Sequence, residues 1–168
     1  MELFNSTLNI SYGQFYMLSG ESEYDLDAAF KGQTNGLCGA ADAPNLFFIT
    51  GLHTGHVELG VYFHQSMPEL DESWEDVVEV SYHVTGELSL EDCCGSTLDP
   101  LPIPLGNYRV RYSGKKMDEA RAEDCILENE PTIDSYRVDF WPSTDQSADA
   151  IIRQHSELAA YWHTAWNQ

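Results

Sequence analysis

Apolar and polar residues alternate through much of this chain with a period of two. Val57, Leu59, Val61 and Phe63 are interleaved with His56, Glu58, Gly60, Tyr62 and His64, so one face is apolar and the other mixed. That is the pattern of a half-buried strand. It recurs at Val78, Val80, Tyr82 and Val84, at Leu88 and Leu90, at Tyr108, Val110 and Tyr112, and at Tyr136, Val138 and Phe140. Two more strands are predicted at 8–18 and 46–50. Gly13 reads as a bulge in the first of these, because apolar parity shifts there from Leu8, Ile10 and Tyr12 to Phe15 and Met17. Turn-forming residues separate the runs at short intervals, which predicts a mainly β protein, an antiparallel β-sandwich of about seven to eight strands.

The period changes at the C-terminus. Over 149–166, Ile151, Ile152, His155, Leu158, Ala159, Trp162 and Trp166 share one helical face, and Ser143, Thr144 and Ser147 are capping candidates upstream. The sequence therefore predicts a C-terminal helix over 149–166 packed on the sandwich, with shorter helical turns at 24–31 and 117–124. No repeat or linker divides 1–168, so one domain is expected.

Charge alters this picture most. The chain holds 28 acidic residues against 8 Lys plus Arg, a formal charge of −20. Between Lys31 and Arg109 there is no Lys or Arg, while Asp42, Glu58, Glu69, Asp71, Glu72, Glu75, Asp76, Glu79, Glu87, Glu91, Asp92 and Asp99 all fall there. Such a field repels nucleic acid and anionic membranes and speeds encounter with a basic protein. Direct nucleic-acid binding and membrane association are excluded on this ground, and a basic protein partner is expected. The first residues have no basic stretch followed by an apolar one, and no run approaches a membrane span, so a cytoplasmic location is expected. The four cysteines, Cys38, Cys93, Cys94 and Cys125, match no disulfide framework and are read as thiols.

The densest acidic segment is 69–76, where Glu69, Asp71, Glu72, Glu75 and Asp76 surround Trp74. Carboxylates supply charge-assisted hydrogen bonds to Lys and Arg, and a tryptophan supplies an anchor of the kind enriched in binding hot spots. With Glu87, Glu91 and Asp92 these residues form the candidate partner-binding set. A solvated loop with Trp74 folded over the core edge is the competing reading. The segment lacks the spacing and turn glycine of an EF-hand loop.

His53, His56 and His64 invite a zinc reading, but no cysteine pair or carboxylate completes a recognised ligand pattern near them in sequence, so they read as polar-face histidines. Six of the eight cations lie between Arg109 and Arg137. Arg109, Arg111 and Arg137 fall on neighbouring strands, where pairing with Asp139 or other carboxylates makes them structural. No G-x-S-x-G elbow, phosphate-cradling loop or Cys/His signature is present, so a binding protein without a cofactor is predicted and not an enzyme. The alternatives are a ligand- or calcium-binding adaptor and an enzyme with an unrecognised carboxylate site.

Two segments, Leu8-Asn9-Ile10-Ser11-Tyr12-Gly13-Gln14-Phe15 and Leu105-Gly106-Asn107-Tyr108-Arg109-Val110-Arg111-Tyr112, resemble the competence protein J family. The resemblance implies a small cytosolic inhibitor of a DNA-degrading nuclease. It transfers no functional residue. A nuclease groove that holds a polyphosphate is lined with Lys and Arg, and a folded acidic surface can occupy it in place of DNA. The expected function is thus an immunity protein that neutralises a nuclease toxin by electrostatic and steric occlusion.

Overall fold

The alternating segments become ten strands in two sheets, one curled into a half-barrel, in a computed structural model that describes residues 1–20, 23–92, 98 and 100–166. Six strands pair in the order β1 (Glu2–Ile10), β5 (Gly55–Phe63), β9 (Ser135–Pro142), β8 (Gly106–Lys115), β6 (Asp76–Val84) and β10 (Ala150–Arg153). Four form the second sheet in the order β3 (Cys38–Gly39), β4 (Leu46–Ile49), β2 (Gln14–Ser19) and β7 (Leu88–Glu91). Three helices join them, α1 (Leu26–Ala29), α2 (Met117–Glu123) and α3 (Glu157–Ala165). The mainly β architecture is as expected, with more strands than the seven to eight predicted.

One apolar core spans both sheets. Phe15 of β2 stacks on Phe48 of β4 with centroids 4.6 Å apart, and Tyr112 of β8 meets Phe48 edge-on at 5.0 Å. The Tyr112 hydroxyl donates to the Ile49 carbonyl at 2.8 Å, so the ring that bridges the sheets also satisfies its polar end.

The structure corrects three expectations. The parity shift at Gly13 marks a hairpin and not a bulge: Tyr12 and Gly13 both have positive φ, Ser11 bridges Gln14, and the chain passes from one sheet to the other. Leu8 and Ile10 thus enter the core from β1, and Phe15 and Met17 enter it from β2. The pairing is not wholly antiparallel, because β9 inserts beside β5 and runs parallel to it. The helix expected over 149–166 is only α3, and its N-terminal portion is β10, paired antiparallel with β6.

Three acceptors explain where α3 begins. Asp76 Oδ1 accepts from the His155 and Ser156 amides at 2.7 and 3.1 Å. Asp118 accepts from Glu157 and Leu158 at 2.9 Å, and the Ser156 hydroxyl accepts from Ala159 at 3.0 Å. These bonds satisfy the donors that a helix start leaves orphaned. Upstream, the β-branched pair Ile151 and Ile152 extends as an edge strand and stays 39% and 44% exposed.

Candidate partner-binding surface

The outward face of the six-stranded sheet carries charge in cross-strand rows. Tyr62, Asp139, Arg111 and Glu79 stand opposite one another across β5, β9, β8 and β6. Arg111 Nη2 lies 2.9 Å from Glu79 Oε1, and Arg109 Nε lies 3.4 Å from Glu79 Oε2. Arg137 Nε meets Asp139 at 2.9 Å, and His64 Nε2 meets the same carboxylate at 2.6 Å. The three arginines therefore pair with sheet carboxylates, as the sequence predicted. Arg109 and Arg111 are buried beneath loops whose carbonyls accept from them: Ser147 and Ala148 over Arg109, Pro68 over Arg111.

The acidic loop is built onto this face by cations from the other half of the chain. Asp71 Oδ1 accepts from the Ser73 amide at 2.8 Å, and the Ser73 hydroxyl together with this amide holds its carboxyl below the usual carboxylate range. Lys115 Nζ sits 4.4 Å over the Trp74 ring and donates to Ser73 Oγ. Arg153 of β10 donates to the carbonyls of Glu72 and Trp74 at 3.2 and 2.7 Å and pairs with the Glu72 carboxylate. Glu75 Oε2 accepts from the Lys116 amide at 2.8 Å. The segment lacking Lys and Arg in sequence is thus partly neutralised in space.

Within the predicted set, Glu69, Asp71 and Glu72 are exposed, the Glu72 side chain to 83%, while Trp74 and Glu75 are half-buried. Asp76 is 0% exposed, and its carboxylate anchors the start of α3. It presents nothing to a partner, which corrects its place in the set. Glu87 is exposed, Glu91 half-buried and Asp92 buried. Glu87 does not join the loop: Asp76 opens β6 and Glu87 follows its far end, so nine residues of strand intervene, about 30 Å at about 3.3 Å each, while Glu91 ends β7 at the edge of the four-stranded sheet with Asp92 next to it. Asp99, Cys93 and Cys94 lie outside the described residues.

Beside the loop is a groove of about 500 Å³, with Trp74 on one side and Asn5, Glu58, Tyr62 and Arg137 along its floor. Gly60 makes the floor, because the Tyr62 ring leans across it where a Cβ would come within 2.7 Å. Arg137 Cζ lies 4.1 Å over the Tyr62 ring. Sequence reasoning missed this groove. The bare Gly60 inside a strand was its one local signal. It also missed an exposed acidic run after β8, formed by Glu119, Glu123, Asp124, Glu128 and Glu130.

His56 Nε2 lies 3.0 Å from the Glu130 carbonyl and His64 pairs with Asp139, so both have structural partners. Among the described cysteines Cys38 is buried and Cys125 exposed, both as free thiols.

Two face-packed sheets, six- and four-stranded, with a charged outer face define a mainly β, sandwich-like fold. The same fold occurs in ComJ from Bacillus subtilis, an inhibitor of the DNA-degrading activity of NucA. That crystal structure matches with TM-score 0.58 and 22% identity over 85% of this chain and 98% of its own. A second match is crocagin biosynthetic gene J, with TM-score 0.52 and 15% identity over 83% of this chain and 96% of that one. No protein-family model and no curated protein matches the chain. No helix among the described residues is long and apolar enough to cross a membrane.

Proposed function

We propose that this protein is an inhibitor that binds a nuclease and occludes its nucleic-acid groove, acting as an immunity protein in the cytoplasm. The observation that carries the reading is the sorting of charge by depth. Arg109 and Arg111 are spent beneath loops on Glu79, and Arg137 and Arg153 are held by Asp139 and Glu72. The surplus carboxylates face outward, among them Glu69 and Asp71. The likeness to ComJ supports the same reading, since that protein inhibits a nuclease.

The proposed contact surface is the 69–75 loop with Trp74 and the adjoining groove. Carboxylates there replace phosphates against Lys and Arg of the partner, and the half-buried indole supplies apolar contact. Asp76 contributes by holding the loop's end to α3.

The test is an assay of DNA cleavage by the nuclease that co-purifies with this protein from its native host, with the purified inhibitor added in increasing amounts. Cleavage should fall to background at stoichiometric inhibitor, and association should slow steeply as salt rises. Full cleavage activity at excess inhibitor would overturn the proposal.

A further inference from the structure

Two distant segments meet behind the Tyr12–Gly13 hairpin. The Asp124 carbonyl accepts from the His53 and Thr54 amides at 3.0 and 3.1 Å, and the Ile126 amide donates to the Thr54 carbonyl at 3.0 Å. The His53 carbonyl in turn accepts from Gly13 at 3.0 Å. This stapling places a ring nitrogen of His53, the Asp124 carboxylate and the Cys125 sulfur within 4.8 Å of one another, all exposed. The carboxylate that sequence spacing did not offer to His53 comes from the end of α2.

We propose that His53, Asp124 and Cys125 form a zinc site with a fourth position open to water. Nitrogen, carboxylate oxygen and thiolate together form a donor set of intermediate softness that suits Zn²⁺ and disfavours calcium or magnesium. Zinc bonds of about 2.0–2.3 Å in a tetrahedron set donor atoms about 3.3–3.8 Å apart. Cys125 Sγ and Asp124 Oδ2 are already 3.5 Å apart.

The histidine is oriented as a ligand needs to be. Thr54 Oγ1 lies 2.8 Å from His53 Nδ1; in the tautomer whose Nδ1–H donates to this hydroxyl, Nε2 keeps the lone pair a metal needs, and a partner on the far ring nitrogen is the usual support of a metal-bound histidine. The Tyr12 ring meets the imidazole edge-on at 5.5 Å. Asp124 has φ +68 and ψ −55, and the Cys125 amide donates to the Glu123 carbonyl at 2.8 Å, a tight turn that an L-residue adopts only at a cost. The turn directs two successive side chains to the same point as His53. A recess of about 260 Å³, bordered by His53, Asp124, Arg121 and Tyr161, adjoins the cluster and has room for the fourth ligand.

The test is a titration of the metal-free full chain with Co²⁺, followed by Zn²⁺. A thiolate-to-cobalt charge-transfer band should grow to saturation and be bleached by zinc. Cys125→Ser should abolish the band while keeping the denaturation midpoint, since Cys125 is exposed. His53→Ala should weaken cobalt binding more than tenfold and Thr54→Val about tenfold. The double variant Cys93→Ser with Cys94→Ser should leave the band unchanged. Absence of saturable binding, a band that survives in Cys125→Ser, or one lost in the double variant would each overturn the site.

Discussion

Gly36 lies where α3 docks on the loop before β3. A Cβ there would come 2.0 Å from the Trp162 carbonyl oxygen, which is backbone and cannot step aside. Gly36→Ala should therefore destabilise the protein by about 2–4 kcal/mol, read from the shift in denaturation midpoint. A loss below about 0.5 kcal/mol would show that the helix does not dock there. Asp149 is a second single-residue lever. Partial burial raises its pKa, but bonds from the Asn35 and Thr34 amides and side chains outweigh this and hold it below the ordinary value of 3.8. A depressed carboxyl stabilises the fold above its unfolded pKa and loses that contribution as pH falls through the folded one. Asp149→Asn should cost about 1 kcal/mol at neutral pH after discounting for solvent screening. It should also flatten the acid limb of the stability curve below pH 3.8. An unchanged acid limb would refute the assignment.

Strands that alternate apolar with polar residues were the legible ones. In β8 and β9 that alternation survives in the sequence although both faces are buried, because Arg109, Arg111 and Asp139 on the outer face lie in ion pairs, the two arginines beneath loops. The C-terminal misreading has a different origin. Ile151 and Ile152 happen to fall in step with Leu158 and Trp162, although they are edge-strand residues, and the true helix start is set by Asp76 and Asp118 from elsewhere in the chain. The Ser156 cap is the one local mark of that start, and the two distant carboxylates have none. For the same reason Asp76 looked like one more surface carboxylate. Its replacement by Ala should cost about 2–4 kcal/mol and speed amide exchange at His155 and Ser156 before that of the central strands, whereas Asn keeps an acceptor and costs less. Uniform acceleration across the sheet would mean that Asp76 does not act through α3.

At the scale of the whole molecule, the sequence showed the sign and size of the charge but not its neighbours in space. Lys115 and Arg153 return to a loop that reads as free of cations, while Glu87 is carried to the other end of β6. Charge reversal can separate the two acidic regions. Glu69→Lys should slow association with the nuclease by roughly tenfold at low salt, and Glu87→Lys by clearly less. The reverse ranking would move the contact surface to the edge of the four-stranded sheet. The seclusion of Arg109 and Arg111 beneath their loops carries one more consequence. Mobile ions dampen forces that reach through water far more than those between groups shut away from it. Brine should consequently leave the arginine pairs in place and raise the melting temperature slightly by quieting repulsion among the outward carboxylates, while capture of the enzyme grows sluggish.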